Sequence, residues 1–170
     1  MTKPRWILLA EDNPNDADLT VRALSANQPP NEIVLAGDGS EVLDCLYRRG
    51  VFQARNGDPP AVILLDLKMP KVDGLEVLRQ IKSDPMLKSI PVVVFTSSKE
   101  RIDLVRTYQL GANAYVVKPV GYREFVSVLK EVKKFWLDIN EPPPTADPME
   151  SAVMAARQTI TQASQLAHAA

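Results

Sequence analysis

The sequence predicts an α/β fold: a (βα)5 domain with a doubly wound, five-stranded parallel sheet. Five short aliphatic runs recur, at residues 6–10, 32–36, 61–66, 91–96 and 114–119. Their apolar character is continuous rather than alternating, which is typical of strands that helices cover on both faces. Segments with helical apolar spacing separate them, so strand and helix alternate five times. For a doubly wound fold of this kind, with right-handed crossovers, we expect the strand order 2-1-3-4-5 and ligands at the carboxyl ends of the strands.

The first three strands each lead into a plausible turn or helix start. The run WILLA is followed by AEDNPND, in which Asp12 or Asp16 could cap the first helix. The run EIVLA forms the second strand. The third, AVILLD, runs into LKMPKVDG, where Pro70 and Gly74 shape the turn into the third helix. That helix is indicated by an apolar stripe through Leu75, Leu78 and Ile81, with Lys82 beside it.

The last two strands are PVVVFT and AYVVKP, and Thr96 at the end of the former could cap the fourth helix. The fifth helix is indicated by an apolar stripe near the end of the domain. Its members are Phe125, Val128, Leu129, Val132 and Trp136.

At 170 residues, the chain accommodates one domain at residues 1–140 and an appendage. The segment EPPPTADP at 141–148 cannot continue a helix, which predicts an extended, proline-rich linker. Residues 149–170 follow as a weakly amphipathic or partly disordered tail helix. Its apolar positions alternate in spacings of four and three: Met149, Val153, Ala156, Ile160, Ala163 and Ala167.

Composition narrows the functional class. The net charge of −1 offers no basic surface for nucleic acid or an anionic membrane. The single cysteine, Cys45, has no partner for an intramolecular disulfide or a metal cluster. The opening apolar run is too short for a signal peptide or a membrane helix. We therefore expect a cytoplasmic protein that binds neither nucleic acid nor membrane.

Three acids lie at strand ends that this fold brings together. Glu11 and Asp12 follow the first strand and Asp66 ends the third, its neighbour in the sheet. When carboxylates lie this close together, their joint ionisation is unfavourable unless a cation lies among them. Oxygen ligands without histidine or cysteine favour Mg²⁺. The sequence thus predicts a magnesium site.

Two further strand ends supply complementary groups. Thr96 ends the fourth strand with a hydroxyl, and Lys118 ends the fifth with an ammonium. Around a carboxylate and a metal, these donors suit a transferring phosphoryl group. Taken singly, each residue has a plainer interpretation, as a helix cap, a buried threonine or a surface charge. The functional interpretation rests on their joint placement at strand ends.

These motifs resemble the receiver domain of response regulators, the phosphoacceptor half of two-component signalling, over residues 4–139. The resemblance rests on LLAEDNP, LLDLKMPKVDG, VVVFTS and AYVVKP. The segment from SDPMLKSIP to AYVVKP, the spacer RRGVFQARNGDPP and the final FW are similar to single-domain regulators that partner bacterial and cyanobacterial phytochromes.

The resemblance implies that Asp66 takes a phosphoryl group from a histidine kinase, here of the phytochrome type. It implies that Asp12, Asp66 and the backbone carbonyl of Lys68 bind Mg²⁺ directly, and that Glu11 acts through water. Such a protein is a signalling phosphoacceptor that catalyses its own phosphotransfer and dephosphorylation, rather than an enzyme acting on other substrates.

The remaining family roles fall on the last two strand ends. Lys118 pairs with the phosphoryl oxygens, and Thr96 donates its hydroxyl to them. Tyr115 is similar to the family's switch aromatic, although a tyrosine half-buried at the rim of an edge strand is an equally good interpretation. The bond between Lys118 and Pro119 is cis in the family.

No output domain is apparent after the receiver, so its own surface is expected to signal. Phe135 and Trp136 are adjacent on the last helix and cannot both face the same core stripe. Similar regulators form homodimers through the fourth helix, fifth strand and fifth helix, which predicts a dimer with these two residues at its interface. Alternatively, the pair only closes the end of the helix.

Two other classes fit less well. A metal-dependent phosphohydrolase of the haloacid-dehalogenase type needs a second acid two residues after its nucleophile, where this chain has Lys68. A nucleotide-binding module needs a glycine-rich turn, which AEDNPND lacks. The only histidine, His168, lies in the tail, which disfavours a phosphohistidine relay or serine-histidine catalysis.

Overall fold

The computed structural model describes residues 5–26 and 32–143. The strands are β1 (Trp6–Ala10), β2 (Glu32–Ala36), β3 (Val62–Leu65), β4 (Val92–Thr96) and β5 (Ala114–Val117). The helices are α1 (Pro14–Ser25), α2 (Gly39–Leu46), α3 (Gly74–Ser83), α4 (Arg101–Gln109) and α5 (Tyr122–Lys133). A 3-10 turn, Gly50–Phe52, precedes β3, and a π-helical turn, Lys134–Ile139, continues α5.

The five strands form one parallel sheet in the order β2-β1-β3-β4-β5. The predicted fold class and strand order are therefore confirmed. In the register, Ala10 lies opposite both Ala36 of β2 and Leu65 of β3, so these strands end at one level. The loops that follow β1 and β3 consequently meet at the carboxyl edge of the sheet.

Central strands are buried on both faces, as their continuous apolar sequence predicts. Every residue of β1, β3 and β4 is buried, whereas the edge strands β2 and β5 are mostly half-buried or exposed. Because successive side chains of a strand point to opposite faces, Leu8 packs in one core with α2 and α3. Ile7 and Leu9 pack in a second core with α1 and α5. The sheet therefore lies between two helical layers, with one hydrophobic core on each of its faces.

Three predicted strands are shorter in the structure. The third and fourth begin one residue later than predicted, at Val62 and Val92. The third ends before Asp66, and the fifth ends before Lys118. Asp66 and Lys118 thus lie just beyond β3 and β5 rather than within them. Release from the strand leaves both side chains free to turn towards each other over the sheet edge.

Helix starts differ from the capping alternatives drawn from the sequence. Asn13, not Asp12 or Asp16, caps α1, and its Oδ1 accepts from the backbone N–H groups of Asn15 and Asp16. The N-cap of α4 is Glu100, without a side-chain cap bond, so Thr96 does not cap that helix. Both corrections free the carboxylate of Asp16 and the hydroxyl of Thr96 for other partners.

The π-helical turn interrupts the apolar stripe predicted for the fifth helix. Leu137 is buried there, and Trp136 is partly buried against the α1/α5 core. Arg5, before β1, donates to the backbone carbonyls of Leu137 and Asn140, each at 2.8 Å. These bonds connect the end of the domain to its beginning, and the one to Leu137 joins residues 132 positions apart.

Most of the predicted linker and all of the tail helix at 149–170 lie outside the described residues. Within the described ranges, no helix combines the length and the apolar content that crossing a membrane requires.

Candidate functional site

The predicted acid cluster forms where β1 and β3 end side by side. The backbone N–H of Glu11 donates to Ala36 at 3.0 Å, and that of Asp66 donates to Ala10 at 3.0 Å, so the ladder fixes both residues. Carboxylate oxygens of Glu11, Asp12 and Asp66 lie within 4.8 Å of one another. Glu11 and Asp66 are buried, whereas Asp12 is exposed. The structure therefore brings all three predicted acids together with one side open to solvent.

Asp66 is held on both of its carboxylate oxygens. The Thr96 hydroxyl donates to Oδ1 at 2.9 Å, and the backbone N–H of Lys68 donates to the same oxygen at 3.2 Å. The Lys118 ammonium donates to Oδ2 at 2.9 Å. Thr96 is fully buried, so its hydroxyl has little freedom. These contacts orient the carboxylate at the floor of the site.

Lys118 offsets part of the negative charge that the acids create. Its Nζ donates to Glu11 at 2.6 Å, to Asp66 at 2.9 Å and to Asp16 at 2.9 Å. Burial lowers the pKa of Lys118, but its hydrogen bonds to these three carboxylates outweigh that effect and raise the pKa above its usual range. The lysine is therefore an ammonium at neutral pH. The sequence placed this ammonium beside a carboxylate at the strand ends, but it did not predict the bond to Asp16.

Asp16 is a site residue that the sequence analysis assigned only as a possible cap. It lies in the first turn of α1, and the Asn13 cap fixes its backbone N–H at 3.2 Å. The available signal was its position, in the first turn of the helix that begins at the carboxyl edge of the sheet.

Burial has the opposite effect on Glu11. Burial raises the pKa of its carboxyl, and the hydrogen bond and charge of Lys118 only partly offset this increase. Its Oε1 also accepts from the backbone N–H of Asn13 at 3.1 Å, which holds the side chain in place.

The donor set fits a hard divalent cation. The three clustered ligand groups are carboxylates, without nitrogen or sulfur, and the exposed Asp12 leaves an approach from solvent. These residues would hold a divalent cation that prefers oxygen ligands.

The loop after Asp66 is braced by an ion pair that sequence reasoning missed. Lys71, with a φ of 63°, donates from Nζ to Oδ2 of the buried Asp38 at 2.5 Å. Burial opposes ionisation of Asp38, but hydrogen bonds from Lys71, Ser40 and the Glu41 backbone lower its pKa far below the usual value. Asp38 also caps α2. The pair joins the start of α2 to the loop that carries Lys68.

The same loop closes at a glycine. A Cβ built on Gly74 would lie 2.2 Å from the backbone oxygen of Asp66 and 2.6 Å from the Cα of Leu67. Gly74 also donates its N–H to the carbonyl of Leu67 at 2.9 Å. The first turn of α3 therefore packs directly on the backbone that positions Asp66.

On the opposite side, hydrogen bonds link Thr96 to α4 and β5. The hydroxyl of Ser98 donates to Asp103 of α4 at 2.6 Å, and its backbone N–H lies 3.4 Å from the Thr96 hydroxyl. The Tyr115 hydroxyl donates to the Ser98 carbonyl at 3.0 Å. In this structure Tyr115 is half-buried and reaches the loop after β4 rather than Thr96 itself.

Phe135 and Trp136 contact each other edge to face, with ring centroids 5.0 Å apart. Trp136 packs on the core, whereas Phe135 is 47% exposed. Helix α4 also exposes apolar side chains, namely Ile102, Leu104, Val105 and Tyr108. The chain thus has exposed apolar surface on α4 and after α5.

A protein-family model, the response regulator receiver domain, matches residues 7–130. Among curated proteins, the response regulator Rcp1 of Synechocystis sp. is 36% identical over 135 residues, covering 79% of this chain and 90% of Rcp1. A solved structure of Rcp1 in its Mn²⁺-bound form has a TM-score of 0.76 at 36% identity, covering 82% of this chain and 99% of that one.

Two other solved structures are similar. The phosphorylated cyanobacterial phytochrome response regulator RcpA has a TM-score of 0.78 at 39% identity, covering 82% of this chain and 99% of that one. The bacteriophytochrome response regulator AtBRR has a TM-score of 0.67 at 52% identity, covering 82% of this chain and 100% of that one.

Proposed function

The chain belongs to the response regulator receiver family, and on this basis we propose that Asp66 accepts a phosphoryl group from the phosphohistidine of a histidine kinase. The observation that carries the proposal is the set of donors on Asp66. Lys118, Thr96 and the Lys68 backbone hold this carboxylate at the floor of an acidic, solvent-open site. A nucleophile fixed in this way needs little reorganisation to meet an incoming phosphoryl group.

In the transfer, an oxygen of Asp66 forms a bond to phosphorus while the bond between phosphorus and the kinase imidazole nitrogen breaks. The imidazole leaves with that electron pair. Negative charge is spread over the equatorial phosphoryl oxygens. The Lys118 ammonium and the Thr96 hydroxyl, both within 2.9 Å of Asp66, are placed to receive it.

The divalent cation in this proposal is Mg²⁺, with Asp12, Asp66 and the Lys68 backbone carbonyl as direct ligands and Glu11 acting through water. The cluster of three carboxylates supports this set. When bound, the cation neutralises charge on the carboxylates and the phosphoryl oxygens. Asp12 supplies the exposed carboxylate at the mouth of the site, while Glu11 holds Lys118 from below.

Signalling follows from the hydrogen bonds on the Thr96 side. A phosphoryl group on Asp66 would draw the Thr96 hydroxyl away from its bond to Oδ1. Tyr115 would then exchange its bond to the Ser98 carbonyl for an inward position, biasing a two-state equilibrium at α4 and β5. The cis geometry before Pro119 remains part of this proposal, since it would direct Lys118 from β5 into the site.

We assign the output to protein contacts of the receiver itself, including a homodimer through α4, β5 and α5 with Phe135 and Trp136 at its interface. The exposed ring of Phe135 and the apolar surface of α4 support this assignment. The partner kinase proposed is of the phytochrome type, because relatives that cover most of the chain are phytochrome response regulators.

Phosphoramidate with Mg²⁺ tests the phosphoacceptor. Intact-mass spectrometry should show one added phosphoryl group on the wild type and none on Asp66→Asn. Asp18→Asn is the matched control, because Asp18 lies on the exposed face of α1 in a surface pair with Arg22 and should label normally. Label that persists in Asp66→Asn would show that Asp66 is not the phosphoacceptor.

Light scattering tests the dimer. The full chain should have twice the protomer mass, and the double variant Phe135→Ala, Trp136→Ala should be a monomer. Equal masses for the two would exclude these residues from the interface. Phosphotransfer from each histidine kinase of the source organism tests the partner, and preference for a sensor other than a phytochrome would overturn that assignment.

A further inference from the structure

The Lys118 ammonium has an acceptor that the proposed chemistry does not use. An ammonium has three N–H donors, and here they go to Glu11, Asp66 and Asp16. Glu11 and Asp66 follow β1 and β3 and belong to the acid cluster. Asp16 comes instead from α1, and is absent from that cluster.

We propose that Asp16 is a positioning residue for phosphoryl transfer, which holds the Lys118 ammonium over Asp66 from the α1 side. This inference rests on the proposed function, and deepens it by adding a residue to the same site. Asp16 does not touch the reacting atoms; it acts through Lys118.

The need for such an anchor follows from the surroundings of Lys118. Lysine is a point charge on a flexible four-carbon stem, so its head must be fixed by contacts rather than by its own geometry. The stem leaves the sheet after β5, an edge strand that is only half-buried. With a divalent cation bound, Glu11 and Asp66 would be shared between the cation and the ammonium. Asp16 keeps its carboxylate for Lys118 alone.

Asp16 is itself well placed to serve as an anchor. The Asn13 side chain accepts from the Asp16 backbone N–H at 3.2 Å, which fixes the first turn of α1. The Asp16 side chain remains 36% exposed, so its bond to Lys118 is screened but not lost to water. The contact joins residues 102 positions apart and spans the mouth of the site from α1 to β5.

Phosphorylation by phosphoramidate, timed across donor and Mg²⁺ concentrations, tests this role. For Asp16→Ala we expect the maximal rate to fall about three- to tenfold, the size carried by a partly screened, charge-assisted hydrogen bond. Asp16→Asn keeps an acceptor oxygen in the same place and should lie between Asp16→Ala and the wild type. Asp18→Ala, on the exposed face of the same helix, should match the wild type.

A double-mutant cycle separates positioning from general structure. If Asp16 acts through Lys118, then Asp16→Ala should have no further effect in a Lys118→Ala background. Where that background reacts too slowly to time, the same cycle is measured as affinity for trifluoroberyllate, a tetrahedral phosphoryl analogue. An equal loss in both backgrounds, an unchanged rate in Asp16→Ala, or a faster one would overturn the proposal.

Failure of this inference differs from failure of the proposed function. A wild type that takes no label, or an Asp66→Asn variant that still does, would refute the phosphoacceptor itself. Normal labelling at Asp66 with a wild-type rate in Asp16→Ala would refute only the role of Asp16.

Discussion

Replacing Gly74 by alanine should displace the backbone that positions Asp66. The added methyl group would lie 2.2 Å from the backbone oxygen of Asp66 and 2.6 Å from the Cα of Leu67. Restoring an ordinary separation of about 3.4 Å from 2.2 Å requires a relative displacement of about 1.2 Å. Because the opposing atoms are backbone, no side-chain rotation can relieve the contact.

Two effects of different size follow from that displacement. Overpacking of this kind costs about 1–3 kcal/mol of unfolding free energy. Moving a reacting group by about 1 Å can cost about a hundredfold in rate, because phosphoryl transfer depends on positioning. We therefore expect Gly74→Ala to fold with reduced stability and to label with phosphoramidate about ten- to a hundredfold more slowly.

Urea unfolding and timed labelling measure the two effects, with Gly37→Ala as the matched control. Gly37 also lies at the carboxyl edge of the sheet, just after β2, but a Cβ there would be 3.6 Å from the flexible carboxylate end of Glu41. The control should resemble the wild type in both assays. If Gly74→Ala matches this control in urea midpoint and rate, the close approach of α3 to Asp66 does not constrain the site as described.

Three further variants test the charges and the core. Measured by urea unfolding in EDTA, the free energy of unfolding of Lys118→Met should be about 3 kcal/mol below that of the wild type, because the buried acids lose their counter-ion. Added Mg²⁺ should reduce this difference. Equal urea midpoints for the two proteins in EDTA would contradict the prediction. Asp38→Asn should lose about 1–2 kcal/mol at pH 7, where the wild-type carboxylate is fully ionised. Because folding lowers the Asp38 pKa below its ordinary 3.8, its contribution is present above that pH and is lost as pH falls further. Urea curves from pH 7 to 2.5 should show the Asp38→Asn deficit shrinking, and a constant deficit would contradict the ion pair with Lys71. Leu137→Ala should lower the free energy of unfolding by about 2–4 kcal/mol, and the exposed control Ile139→Ala by under about 0.5 kcal/mol, both measured by urea unfolding. Similar losses for the two variants would show that the π-helical turn does not contribute to the core.

Much of the fold could be predicted because its signals are local. Continuous aliphatic runs identify buried parallel strands, and their alternation with helices predicts a doubly wound fold, from which the strand order was expected. Glu11, Asp12 and Asp66 could be grouped without coordinates, because parallel strands bring their carboxyl ends to one edge. The structure confirms the sheet, its order and this cluster. The roles of Tyr115, Phe135 and Pro119 stay predictions.

Other features escaped the sequence because no local pattern encodes them. The sequence offered Asp12 and Asp16 as possible caps of α1, and the structure has Asn13 there instead, since several neighbouring polar residues can cap a helix and only the backbone selects one. The ion pair between Asp38 and Lys71 joins residues 33 positions apart, and no local sequence pattern links them.

The sequence by itself determined the five-stranded α/β architecture and the acids at its carboxyl edge, because hydrophobic periodicity and position relative to a strand end are properties of a short stretch of chain. Only the tertiary structure decided how the charges are shared there. It brought Lys118 to Asp16 across 102 residues, and packed Gly74 against the backbone of Asp66. The physical reason is that a hydrogen bond or a steric contact depends on where two groups distant in sequence meet, which is set by the packing of helices onto the sheet.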